Sequence, residues 1–236
     1  MKSLQEPPRS RRSRGRFWKW SFGIIAAIVA LAVAAVLAEP TPPSLGLPAS
    51  AASVPVGPLD GTWRVAAGAV TGFRIKEVFL GLSNDVVGRT SAVAGAVVLS
   101  GDRVTSASFR IDLRRIRVNG KPQPQLALSL DTRAHPVATL ALVQPLVLGG
   151  TFASGGTATV QAVGMLSLNG VARRVTFPIS WRRDSTNVQA AGAIPVAFAD
   201  WHIHGPQGFG WLGSLADHGV AEFYLDFVRA AGGQGV

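Results

Sequence analysis

Apolar and polar side chains alternate along most of the chain after residue 60. Phe109, Ile111 and Leu113, for example, are separated by Arg110 and Asp112. Alternation with a period of two places one face of a strand on a core and the other in water, which is typical of antiparallel sheets. The pattern predicts strands at 61–67, 71–81, 86–99, 103–113, 137–147, 157–168, 172–183, 186–199 and 220–229.

Short turn sequences join several of these segments. Ser-Gly-Asp at 100–102 and Asn-Gly at 169–170 are typical of tight β-hairpins. The segment 121–134 is less strand-like and predicts one short helix, whereas the Gly-rich segment 203–219 predicts a long loop. Many short strands joined by hairpin turns predict an all-β domain over residues 59–230, either an antiparallel barrel or a sandwich.

An uncharged stretch precedes this domain. Residues 21–38 are 18 consecutive residues without a charge, enough for a helix of about 27 Å, close to the hydrocarbon thickness of a bilayer. Seven basic residues and one acidic residue lie within 1–20. The uncharged run and its basic flank therefore predict a single-pass membrane anchor with a cytoplasmic N-terminus and an extracytoplasmic domain. The alternative is a signal peptide cleaved after Ala38, although its apolar region would be longer than usual.

Charge and cysteine content narrow the function classes. The net charge is +10, but residues 21–236 hold only 16 basic and 12 acidic residues, so most of the excess belongs to the N-terminus. The basic pI therefore does not predict nucleic-acid binding. The chain contains no cysteine, which excludes disulfide scaffolds, zinc–thiolate sites and catalytic thiols.

A proline-rich linker is predicted between the apolar stretch and the domain. Six of the 20 residues at 39–58 are proline, a composition that favours extended chain with a reach of up to roughly 60 Å. This segment is interpreted as a stalk that lifts the domain off the bilayer, or as a leader with no spacing role. Residues 231–236 are predicted to form a flexible tail.

Five short motifs follow one another along the β domain: GTW at 61–63, FRIK at 73–76, VGR at 87–89, HPVATL at 135–140 and LSLNGVARRVTF at 166–177. Their order and spacing resemble the bacterial YceI-like family. The resemblance implies a lipocalin-like antiparallel barrel that binds a polyisoprenoid or other long-chain lipid in its interior, without catalysis and without a further cofactor. Members of the family often carry a histidine at the position of Glu77.

An apolar cavity would be lined by the inward-facing residues of the alternating segments, unless these residues simply fill their own core. The candidate lining residues are Phe73, Ile75, Phe79, Phe109, Ile111, Phe177, Ile179, Trp181, Trp201, Phe223, Leu225 and Phe227. Glu77 shares the face of Phe73 and Ile75. A bulge turns it outward, a basic partner meets it, or it is a polar contact inside the cavity.

Other functions remain as alternatives. His202 and His204 would point to the same side of a strand, so a metal-dependent envelope enzyme is one alternative. A closed-core structural or stress protein of the envelope is another. The basic rim, which consists of Arg110, Arg114, Arg115, Arg117 and Lys121, is interpreted as a solvated edge, or as a contact with anionic lipid head groups. No catalytic or metal-binding residue is assigned.

Overall fold

A computed structural model describes residues 41–49, 54–55, 57–79, 81–184, 186–205 and 213–230, without the side chain of residue 79. Its strands are β1 Gly61–Val65, β2 Val70–Phe79, β3 Leu82–Thr90, β4 Val93–Ser100, β5 Arg103–Asp112, β6 Arg117–Val118, β7 Val137–Leu142, β8 Leu146–Val147, β9 Thr157–Leu168, β10 Val171–Asp184, β11 Asn187–Ala197 and β12 Gly213–Arg229. Two short helices are α1 Pro124–Ser129 and α2 Gly149–Ala153, and 3₁₀ turns lie at Leu113–Arg115 and Phe198–Trp201.

Eight of these strands close into an antiparallel barrel within the described part of the chain. Their order is β1-β4-β5-β7-β9-β10-β11-β12, and the ring closes because β12 also pairs with β1. The first part of β12 pairs with β2 instead, and β3 and β6 continue the sheet from there. The barrel that the sequence predicts is confirmed, and the sandwich alternative is not observed.

Local turn chemistry explains where the strands reverse. Asn169 and Gly170 have φ values of 50° and 76° and link Leu168 directly to its partner Val171. Positive φ at both central residues is the geometry that this hairpin turn requires. The short helix predicted within 121–134 is also present, as α1.

Three predicted boundaries are wrong. The segment 86–99 belongs to two strands, β3 and β4, which are separated at residues 91–92. The segment 137–147 divides into β7 and β8, and β8 pairs with β5. The predicted loop 203–219 becomes strand from residue 213, where β12 advances four residues from Leu215 to Gly219 while β2 advances two. This bulge interrupts the period-two pattern, which is why the sequence resembled a loop.

One half of the barrel interior is filled with side chains. We call it the filled half, and its largest completely buried residues are Trp63, Val97, Leu99, Val104, Phe152, Trp181, Val188 and Phe227. The Trp181 and Phe227 rings are stacked, with centroids 6.0 Å apart and an interplanar angle of 15°. Helix α2 brings Phe152 into the same cluster.

Residues 41–49, which we call the strap, lie against the outside of the barrel. Arg74 donates a hydrogen bond to the carbonyl of Pro42 at 2.7 Å, and Arg182 donates one to the carbonyl of Pro48 at 2.8 Å. The backbone N–H of Leu45 donates to Glu222 at 3.0 Å. These nine residues therefore follow the barrel surface, whereas the interpretation as a stalk expected them to leave it. The wider linker assignment of 39–58 stays a prediction.

The predicted anchor at 21–38, its basic flank and the predicted tail at 231–236 lie outside the described residues. Among the described residues, no helix is both long enough and apolar enough to cross a bilayer.

Candidate ligand-binding cavity

The second half of the barrel interior, which we call the hollow half, encloses a cavity of about 370 Å³. This volume lies within the range of small-molecule binding sites. Side chains from the main sheet, α1 and both 3₁₀ turns contribute to the wall. The apolar lining includes Phe73, Ile75, Val86, Val93, Phe109, Ile111, Leu113, Ile116, Val118, Leu126, Leu130, Ala138, Leu140, Leu166, Leu168, Ile194, Val196, Phe198, Ile203, Leu215, Val220, Ala221, Phe223 and Leu225.

Aromatic side chains form the boundary between the two halves. Phe109 lines the cavity and also approaches Phe227 of the filled half, with ring centroids 6.0 Å apart. Phe223 lines the cavity and meets Phe177 edge to face at 6.2 Å. Edge-to-face pairs of this kind add stability beyond their buried area. The floor of the cavity is therefore a packed aromatic layer.

Gly88 allows the Phe73 ring to approach the backbone of β3 closely in one wall of the cavity. A Cβ atom at Gly88 would lie 2.2 Å from the Phe73 ring and 2.9 Å from Ile116. No real side chain could occupy that position, so the Phe73 ring lies across the strand backbone of β3. The VGR motif thus has a steric role at the wall.

Few polar groups face the cavity. Glu77 is half-buried there, and the other polar side chains among the described lining residues are Thr71, Gln123, Gln125 and Ser129. Glu77 lies on β2 with Phe73 and Ile75, four and two residues before it, so the strand alternation turns it inward. Of the three interpretations that the sequence left open, the polar contact inside the cavity agrees with the position of Glu77.

The sequence-predicted lining residues divide into two groups. Six of them, and Glu77, line the cavity: Phe73, Ile75, Phe109, Ile111, Phe223 and Leu225. Five others are buried in the core and do not line it: Phe177, Ile179, Trp181, Trp201 and Phe227. The side chain of Phe79 lies outside the description. All five belong to one buried hydrophobic cluster, so neighbouring core side chains occupy the space that a ligand would need.

Sequence reasoning missed the contribution of α1 and its flanks. Gln123, Gln125, Leu126, Ser129 and Leu130 all line the cavity, yet 121–134 was predicted only as a short helix. The available signal was the spacing of Leu126 and Leu130, which places both on one side of a helix. Leu140, on the predicted strand of the HPVATL motif, was also missed.

An ionic cluster lies on the opposite surface of the same wall. Glu222 is only 3% exposed and lies 2.5 Å from Arg89 and 3.4 Å from Arg74. Arg74 also pairs with Asp85 at 2.9 Å. A hydrogen bond from Lys76, together with Arg74, lowers the pKa of the Asp85 carboxyl below its ordinary value, against the effect of burial. The cluster and the strap together cover the outside of β2, β3 and β12.

The histidines of the metal-enzyme alternative do not share a strand. His202 follows the 3₁₀ turn with a φ of 52°, and His204 lies in the irregular segment after it. Both are exposed, so the geometric premise of a common strand face is wrong. Within the described ranges, no group of three or more His, Asp or Glu residues could hold a metal ion.

The described part of the chain is therefore an eight-stranded antiparallel barrel with one filled half and one half that contains an apolar cavity. The YceI-like domain family matches residues 63–225, most of the chain, and the protein belongs to that family. A search of curated proteins found no match.

Two solved structures share the fold. One is a polyisoprenoid-binding domain from Saccharophagus degradans, described as implicated in plant cell wall breakdown. It is 16% identical, with a TM-score of 0.58, over 72% of this chain and 99% of that chain. The other is BcnA of Burkholderia cenocepacia, also 16% identical, with a TM-score of 0.52, over 69% of this chain and 98% of that chain.

Proposed function

We propose that the barrel binds a polyisoprenoid or another long-chain lipid in the hollow half, for transport, storage or sequestration, and that it does so without catalysis. The observation that carries this proposal is the cavity itself, whose lining is almost entirely apolar. Each CH₂ group that leaves water contributes about 0.8 kcal/mol, so a slender hydrocarbon chain gains affinity along its whole length. The described ligand class of the Saccharophagus structure supports the same assignment.

A pair of matched substitutions tests the proposal. Ile111 lines the cavity, whereas Ile179 is buried in the core away from it. In Ile111→Glu, the new carboxylate stays hydrated once lipid has left, so the protein should remain folded and lose its lipid. In Ile179→Glu, the carboxylate is buried without a partner and should cost several kcal/mol of stability.

The measurement is a melting curve of the purified full-length chain, followed by lipid extraction and mass spectrometry. Wild-type protein should carry a long-chain lipid that folded Ile111→Glu lacks. A folded Ile111→Glu variant with undiminished lipid would contradict the assignment, and so would wild-type protein that neither carries nor takes up lipid.

We further propose that the protein is a single-pass cell-envelope protein with its barrel outside the cytoplasm. The uncharged run 21–38 and its basic flank support this orientation. Protease added to intact cells should degrade a C-terminal tag and spare an N-terminal one. A protected C-terminal tag would contradict the orientation, and recovery of a chain that starts at Glu39 would favour the cleaved signal peptide.

A further inference from the structure

The described lining of the cavity contains an acidic side chain but no basic one. Among the described lining residues, Glu77 is the one ionisable side chain, and no lysine, arginine or histidine accompanies it. Glu77 has no ion pair with any described residue. The sequence between residues 205 and 213 also contains no basic residue.

The cations of the same strands are turned away from the cavity. Arg74 and Lys76 alternate with the inward residues of β2, and both pair with Asp85, at 2.9 and 2.6 Å. Arg89 on β3 pairs with Glu222 at 2.5 Å. These cations are therefore committed to the outer ionic cluster. His218, in the β12 bulge beside the partner of Glu77, is exposed and pairs with Asp217 at 2.7 Å.

Building on the proposed lipid-binding function, we propose that the cavity selects ligands with an uncharged, hydrogen-bonding head group and disfavours anionic ones. A hydroxyl head group donates to the Glu77 carboxylate, and the amides of Gln123 and Gln125 offer both donors and acceptors. A phosphate or diphosphate would be desolvated beside Glu77 without a cation to compensate it, and the like charges would repel each other. Isoprenoid alcohols and phenols thus fit the site better than isoprenoid phosphates.

The basic rim is the part of the surface that would favour an anionic head group over an uncharged one. Arg117 and Lys121 are exposed residues on either side of the lining residue Val118. The Arg117 guanidinium already donates to the carbonyls of Arg114 and Ile116, and Arg114 pairs with Asp112 at 2.9 Å. An anionic head group that protruded from the cavity would meet this rim and not Glu77.

Two probes with the same tail separate these cases: farnesol and farnesyl monophosphate, titrated against the delipidated full-length chain. We expect farnesol to bind about ten-fold more tightly or better. Glu77→Gln should reduce the ratio of the two affinities several-fold. Farnesyl monophosphate should bind this variant more tightly, whereas the affinity for farnesol should change little. Glu77→Asp, which retains the charge, should keep the preference.

Two results would overturn the head-group proposal while lipid binding stands. One is equal or tighter binding of farnesyl monophosphate by the wild-type chain. The other is a ratio that Glu77→Gln leaves unchanged. If Arg117→Gln/Lys121→Gln abolishes tight phosphate binding, the head group lies at the rim and the proposal is also overturned. Binding of neither probe would instead refute the lipid-binding function itself, and the head-group proposal with it.

Discussion

The filled and hollow halves of the barrel are built from the same strands with the same alternation. On β12, Phe223 and Leu225 line the cavity, whereas Phe227, two residues further on and on the same face, is completely buried in the core. The change occurs within one strand and without any change in pattern. Alternation therefore determines which way a side chain points, and the opposite wall determines whether the space in front of it is filled.

The opposite walls differ in bulk. In the filled half, Trp63 and Trp181 are buried together with Phe152 from α2. In the hollow half, the cavity is bordered by small residues such as Gly72, Ala138 and Ala221. Helix α1 and the residue that follows it contribute only Leu126 and Leu130 as apolar side chains. A void of this size forfeits packing contacts, so the hollow half should contribute less to folding stability than the filled half.

The largest effect should come from truncation in the filled half. Trp181 is 1% exposed and stacked on Phe227, so Trp181→Ala should lower the free energy of unfolding by about 3–5 kcal/mol. The matched change in the hollow half is Phe73→Ala, which removes a half-buried ring from the cavity wall and should cost less than about 2 kcal/mol. Denaturant titration measures both. Equal losses for the two variants would show that the hollow half is as tightly packed as the filled half.

The outer wall of the hollow half should show the second-largest effect. Glu222→Gln removes the carboxylate that Arg74 and Arg89 share and that accepts from Leu45 of the strap. Breaking one partner of a buried ionic cluster should cost about 2–4 kcal/mol. It should also expose the strap, so cleavage within 41–49 by a nonspecific protease should accelerate.

Glu77→Gln is the matched control, because the same chemical change then occurs on the inner surface of the wall. Among the described residues, Glu77 has no ionic partner to lose, so stability and strap cleavage should stay close to those of the wild-type chain. If Glu77→Gln and Glu222→Gln had the same stability and the same rate of strap cleavage, the contacts between the strap and Glu222 would not stabilise this wall.

The sequence predicted well which side chains point into the barrel. It predicted poorly which of them line the cavity and which are packed in the core. The Asn169–Gly170 turn and the alternation of β10 are local properties, and both are present. Phe177 and Phe223 have the same alternation and contact each other, yet Phe223 alone of the two lines the cavity. That distinction depends on side chains far apart in the chain. The start of β12 was also unpredictable, because its bulge depends on pairing with β2.

A third prediction fills the hollow half deliberately. Ala138 lies on the cavity wall, so Ala138→Phe should place a ring in the open space and keep the free energy of unfolding within about 1 kcal/mol of wild type. Binding of farnesol should weaken about ten-fold or more, because the ring and the ligand compete for the same volume.

Ala190 provides the control for this change, because it is completely buried in the filled half. Ala190→Phe should overpack the core and cost about 1–3 kcal/mol or more. If Ala138→Phe destabilised the protein to the same extent, the cavity would be closed in solution, and the division into two halves would fail.

The smallest effect is a difference in pH dependence between the outer surfaces of the two halves. Outside the hollow half, the hydrogen bond from Lys76 and the nearby Arg74 lower the pKa of Asp85. Outside the filled half, burial raises the pKa of Asp226, against the hydrogen bond from Asn187. A lowered pKa means that the folded state favours the charged carboxylate, whereas a raised pKa means that it favours the protonated form.

The two carboxyls should therefore act with opposite sign. Asp85 contributes stability above its unfolded pKa of about 4, and this contribution is lost as the pH falls through the folded pKa. Asp226 contributes below its unfolded pKa, and its contribution is lost as the pH rises through the higher folded value. At pH 7, Asp85→Asn should then lower the melting temperature, while Asp226→Asn should leave it unchanged or raise it. Melting curves of both variants from pH 3 to pH 7 check this, because the deficit of Asp85→Asn should shrink towards pH 3. A deficit that persists undiminished at pH 3 would show that Asp85 acts by packing and not by charge.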